Sequence, residues 1–221
     1  MLTKKRKILI LISISVVVVG IFTCYFLWKK NLEKRMLANI EEKSQYAENI
    51  DIAEKLRTYS VTKIKEQLTI PSYSTNEIHK MNLSKPSGLT AADLKLITKE
   101  KLVGLEEAFI KAEKDYGVNP LFLIAIASLE SADGTICFRP NNMFGFGSRS
   151  YSSREACIDD VAKSIKKNYL TPGGSFYYGT TISDVNRKYA TSTTWDTKIG
   201  SRMKTYYSTI SKKRNEILKK L

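Results

Sequence analysis

The sequence predicts an α+β chain that is predominantly α: a mostly helical domain with a small β lobe, preceded by one transmembrane helix and a helical stalk. Three observations carry this expectation. Residues 8–28 form a run of 21 without a charge. The remaining apolar residues mostly recur every three or four positions, and cap signals stand where those periodic stretches begin and end. Alternation with a period of two is confined to residues 144–151, so any sheet is small.

The apolar run comes first in the chain. As a helix it is about 31 Å long at ~1.5 Å per residue, which matches a hydrocarbon core of about 30 Å. A cleaved leader has a shorter apolar core and ends on small residues. This run ends on Tyr25, Phe26, Leu27 and Trp28, which predicts an uncleaved anchor. Lys4, Lys5, Arg6 and Lys7 form an unbroken basic cluster, whereas Glu33 interrupts the basic residues on the far side. The N-terminus is therefore expected in the cytoplasm and the larger part of the chain outside it.

Charge and cysteine usage narrow the partners. Of the net charge of +14, +8 lies beyond residue 30, which favours anionic polymers or anionic lipid as neighbours. An exported location argues against nucleic acid. Cys24 falls within the apolar run, leaving Cys137 and Cys157 in the exported part. These two can form a bridge or stand as two small semi-buried residues, and their spacing does not choose. The single histidine, His79, lies in a polar stretch far from either cysteine, so no metal site is expected, and no cofactor.

Three regions follow: residues 1–30 as basic tip and anchor, 31–86 as stalk and linker, and 87–221 as the folded domain. Residues 31–70 carry broken helical spacing (Leu32, Met36, Ile40, then Ile50, Ala53, Leu56) with abundant charge, the pattern of a solvated helical spacer. A docking helix for another membrane protein is the competing reading of this stretch. Turn formers dominate residues 71–88, which reads as a linker. Thr90 followed by Asp93 is a helix-start signal. Leu102, Leu105, Phe109 and Ala112 then give an amphipathic helix that stops at Tyr116-Gly117. Asn119-Pro120 reads as N-cap and first-turn proline of the next helix, which is apolar nearly all round to Ser131 and should be the central buried one. Ser152-x-x-Glu155 is read as a capping box for a helix through Ile158, Val161, Ile165 and Tyr169. A short helix is expected over residues 182–189, and a long amphipathic one through Trp195, Ile199, Met203, Tyr206 and Ile210.

One feature stands out chemically. Glu130 is the single carboxylate on the central helix and falls in its last turn, facing the glycine-broken loop LESADGTICFRPNNMFGFG. Apolar surroundings favour a neutral acid, held ready to give a proton to a leaving oxygen. The ordinary alternative is a helix-end acid facing water, and helix position alone leaves the two equal.

Three segments together carry a resemblance: LEEAFIKAEKDYGVNPLFLIAIASLESADG, NNMFGFG and VNRKYATSTTWDTKI. In this order and spacing the chain resembles the glucosaminidases of glycoside hydrolase family 73, peptidoglycan hydrolases, over residues 87–210. It looks most like the membrane-anchored or secreted wall-remodelling members. The resemblance implies a lysozyme-like fold with a groove for a glycan strand, and an endo-β-N-acetylglucosaminidase cutting between GlcNAc and MurNAc on the cell-wall side of the membrane. It implies Glu130 as catalytic acid and Tyr189 as a tyrosine near the reaction centre. Asn141, Asn142, Phe144 and Gly145 match the segment that shapes the cleft. Phe146, Tyr151 and Tyr178 join them as groove aromatics, since sugars present apolar C–H faces, with Phe138 and Tyr177 in the same cluster of loop aromatics; packing within the small lobe is the competing reading for most of this cluster. The chain departs from the family pattern at Ala132-Asp133, where Gly-Trp is usual, and at Ser192, where Asp is usual. Both changes bear on cleft shape.

A second catalytic carboxylate is left open among Asp133, Glu155, Asp159 and Asp160, beside a substrate-assisted route through the N-acetyl group. A muramidase or lytic transglycosylase on the same fold, and a silent glycan-binding or scaffold module, are the alternative functions.

Overall fold

The computed structural model describes residues 4–70 and 73–220, with side chains from Val17 onward. Two compact units make up the chain, Met1–Thr62 and Lys63–Leu221. Helix α1 (Lys4–Leu68) supplies the first unit. No glycine or proline interrupts it between Gly20 and Pro71, and its described side chains are exposed as far as Ser60. The predicted span at residues 8–28 falls partly on residues whose side chains lie outside the described set. Among the described residues, no helix is long and apolar enough to cross a membrane.

The second unit is built on α5 (Pro120–Ser131). Every residue from Pro120 to Ala127 is buried, and only the last turn emerges. Asn119 caps its start as expected, its Oδ1 accepting from Leu121 N at 2.9 Å with Pro120 in the first turn. Helix α4 (Glu106–Tyr116) packs against it and ends on Gly117 at φ 63°, the left-handed stop that the sequence signals. Helix α6 (Arg154–Ile165) lies on α4 and runs on through a π-helical stretch, Lys166–Leu170. Helices α7 (Ile182–Tyr189) and α8 (Trp195–Leu218) close the other side, with α8 against α5. Before them, α2 (Thr75–His79) and α3 (Ala91–Leu94) are single-turn pieces, each with a complete capping box.

The stretch read as a linker contributes to the core: Ile78 and Leu83 are buried, and α2 lies on α8. His79 is half-buried there, where Gly200 lets it approach: a methyl group at Gly200 would sit 2.8 Å from its Nε2.

Two expectations about the region after α5 are corrected. Among the described residues there is no strand, so the small β lobe is absent. Positive φ at Gly145 (59°) and Gly147 (61°) breaks any ladder in the 144–151 stretch, and side chains hold the loop instead. The cap of α6 is Ser153, whose hydroxyl accepts from Ala156 N at 3.1 Å. Glu155 therefore sits in the first turn but off the capping-box position, its carboxyl held below its ordinary value by bonds from its own backbone and from Ser153. Cys24, Cys137 and Cys157 are all free thiols, with burial as the first cause pushing Cys157 up to about 11.

One buried ion pair joins distant parts of this unit. Arg214 of α8 donates from Nε to Asp93 Oδ1 at 2.9 Å and from Nη2 to Asp93 Oδ2 at 2.6 Å. It also donates to Gln67 O and Gly88 O, both at 3.0 Å. Burial pushes the Asp93 carboxyl up, but the bonds from Arg214 and Thr90 outweigh it and hold the group below its ordinary value. A depressed carboxylate stabilises the fold above its unfolded value and loses that contribution as pH falls through its folded one. Arg214→Ala, which leaves Asp93 buried and unpaired, is expected to cost about 3–5 kcal/mol in urea unfolding at neutral pH. In wild type the Asp93 contribution should fade below about pH 3.9, and Asp93→Asn should flatten that acid limb.

Candidate active site

Three helix ends meet at one place. Glu130 stands in the last turn of α5, Tyr189 is the last residue of α7 and Trp195 is the first of α8. The Trp195 indole N–H donates to Glu130 Oε1 at 2.8 Å. Its ring lies 5.0 Å from the Tyr189 ring at 32° and meets Phe122 of α5 edge-on at 6.2 Å and 86°. Trp195 is 3% exposed, so the donor is fixed within the core and aimed outward. Glu130 itself is exposed. The expectation of an acid in an apolar pocket gives way to an acid at the open end of a buried helix, held from behind by an indole.

Tyr189 is half-buried, and its hydroxyl donates to Phe144 O at 3.3 Å. Burial first, and the nearby Glu130 charge second, push this phenol well above its ordinary value, so it works as a neutral hydroxyl. Its ring is also 5.8 Å from Tyr169 and 6.3 Å from Phe146. These aromatics form one wall.

The loop over the acid is tied by side chains. Ser131 Oγ donates to Ala127 O at 2.7 Å and accepts from Gly134 N at 3.0 Å, turning the chain through Ala132 (φ 47°) and Asp133 (φ 57°). Neither is glycine, and each left-handed residue costs about 1–2 kcal/mol. Asn142 is 4% exposed. Its Nδ2 donates to Phe146 O (3.2 Å) and Arg149 O (3.0 Å), and its Oδ1 accepts from Phe146 N (3.0 Å). That amide is spent on the loop, so Asn142 acts on a ligand through loop shape. Asn141 Nδ2 donates to Tyr151 O at 2.9 Å. Phe144 is buried beneath the loop. Gly145 faces the acid, where a methyl group would sit 3.6 Å from Glu130 Oε2.

The other groove candidates spread outward. Tyr151 is half-buried, its hydroxyl donating to Asp160 Oδ2 at 2.9 Å. Burial, then that bond, pushes it up to about 12. Arg149 binds the same Asp160 oxygen at 2.6 Å and stacks over Phe146 at 5.9 Å. Tyr178 is exposed and lies under Arg187, 5.2 Å from its guanidinium carbon. Phe138 projects wholly into solvent, and Tyr177 is half-buried.

Of the four carboxylates considered as a second group, Asp160 is held by Arg149 and Tyr151, and Asp159 accepts from Tyr116 at 2.8 Å. Glu155 stands in the first turn of α6, and Asp133 is half-buried on the turn after α5. Among the described residues, no group of histidine, cysteine and carboxylate side chains could hold a metal ion. Sequence reasoning placed Trp195 in the core of α8 and missed its bond to Glu130. Its available signal was an indole, a donor with an apolar body, six residues after Tyr189.

Comparison with known proteins finds similarity over part of the chain. Residues 106–208 match the Glucosaminidase family model, described as mannosyl-glycoprotein endo-beta-N-acetylglucosaminidase. Two proteins named as endo-beta-N-acetylglucosaminidase, from two strains of Streptococcus pneumoniae, are each 36% identical over 107 residues. The match covers 43% of this chain and 16% and 15% of those proteins, so the chain spans about one sixth of their length. Crystal structures of S. aureus autolysin E share the fold, with a TM-score of 0.50 and 21% identity over 66% of this chain and 77% of that one. Another crystal structure of that autolysin, a catalytic glutamate-to-alanine mutant in complex with the disaccharide NAG-NAM, aligns at TM-score 0.50 and 19% identity, over 66% of this chain and 78% of that one.

Gly145 and Gly147 separate strain from crowding. Both have positive φ, but a methyl at Gly147 would meet nothing within 4 Å. Gly145→Ala and Gly147→Ala are each expected to lower the unfolding free energy by about 1–2 kcal/mol. Only Gly145→Ala also sets its methyl 3.6 Å from Glu130 Oε2, an ordinary contact that takes up space beside that oxygen.

Proposed function

We propose that this protein is a membrane-anchored peptidoglycan hydrolase that cleaves the β-1,4 bond between GlcNAc and MurNAc, with Glu130 as general acid. The observation that carries the reading is the placement of Glu130. It is exposed at the end of a buried helix, gripped by Trp195, beside Tyr189 and under a loop whose Gly145 leaves room at Oε2. The family match over this segment supports the reaction class.

In this reading a glycan strand lies along the loop, and the bridging oxygen takes the Glu130 proton as the bond to C1 breaks. Positive charge then builds at C1. Asp160 and Asp159 are engaged elsewhere, which supports attack by the carbonyl of the sugar's own N-acetyl group. Water then opens that intermediate and returns a proton to Glu130. Tyr189, kept neutral by burial, lies beside the acid and limits the positions the sugar can take. The uncharged run at residues 8–28 and the basic cluster before it support an anchor with the domain on the wall side. The net positive charge beyond residue 30 suits a neighbourhood of anionic wall polymer.

Glu130→Ala removes the proton donor and leaves the groove. Wall clearing in a zymogram is expected to vanish, with sedimentation of the protein on purified wall unchanged. Clearing at the wild-type level by that variant would refute the assignment.

A further inference from the structure

We propose that Trp195 is a positioning residue that fixes which oxygen of Glu130 delivers the proton. This rests on Glu130 being the general acid. An indole N–H is a donor only. The oxygen it binds must accept, and in a neutral carboxyl the carbonyl oxygen is the better acceptor. The 2.8 Å bond to Oε1 therefore makes Oε1 the carbonyl oxygen and leaves the proton on Oε2. Oε2 is the atom that faces Gly145, where the missing side chain leaves space for a sugar oxygen.

The constraint is needed because Glu130 is exposed. A free glutamate side chain loses about 1.5–2 kcal/mol of rotamer entropy when it is ordered. Trp195 carries no such freedom into the bond: it is buried, edge-on to Phe122 and against Tyr189, at the start of α8. The same N–H remains bound after the proton leaves, when the acceptor is charged and the hydrogen bond stronger. The indole thus serves both ends of the proton transfer without touching the sugar.

The test uses the full chain in detergent with a soluble GlcNAc–MurNAc oligomer, comparing wild type, Trp195→Phe, Glu130→Ala and the double variant. Trp195→Phe keeps the ring packing and removes the donor. Its kcat is expected to fall roughly tenfold to a hundredfold with KM within about twofold. The double variant should be no slower than Glu130→Ala alone, because Trp195 acts only through that carboxylate. A purely structural role would instead lower thermal stability and add its loss to the double variant. Wild-type kcat in Trp195→Phe beside an inactive Glu130→Ala overturns this inference and leaves the site standing, whereas an active Glu130→Ala overturns the site itself. A second readout does not depend on the Trp195 variant folding. The chain has two tryptophans, so its NMR spectrum holds two indole N–H signals. Glu130→Ala is expected to move one of them strongly; two unmoved signals would contradict the bond.

Discussion

The burial of α5 is the constraint on which the rest of the second unit depends. A helix apolar on every side has to be covered on every side, and α4 and α8 pack on it to do so. Covering it fixes the helix ends that border its last turn. Glu130, the one charged group on α5, cannot be buried with the rest at tolerable cost, so it marks where the covering stops. The site lies there because the core ends there.

The polar groups around that opening divide by task. Asn142 and Ser131 spend their hydrogen bonds on the loop, giving it a fixed form without a sheet. Ala132 and Asp133 take left-handed conformations just after the acid, a local strain that the surrounding bonds hold in place. Trp195 spends its single donor on the acid. Tyr189 gives its hydroxyl to a loop carbonyl and its ring to the wall, linking loop and helix ends.

Much of this was legible in the sequence. The Gly117 stop, the Asn119-Pro120 start and the Thr90-Asp93 box are local signals with local causes, and each stands where the pattern placed it. The position of Glu130 in the last turn of α5 was legible, whereas its exposure and its hold by Trp195 were not. What was not legible depended on contacts between distant segments. No spacing rule reports that Arg214 reaches Asp93, or that Trp195 turns its N–H to Glu130 across 65 positions. Residues 144–151 alternate like a strand, yet Gly145 and Gly147 adopt φ values that no ladder accepts. The turn formers of residues 71–88 hid Ile78 and Leu83, which became core only once α8 was in place to cover them.

The central claim, that Glu130 protonates the linkage on the reducing side of GlcNAc, is tested most directly by mass spectrometry of purified wall digested by the wild type and Glu130→Ala side by side. The account predicts fragments with GlcNAc at their new reducing ends from the wild type and none from the variant. New ends bearing MurNAc or anhydro-MurNAc would contradict it.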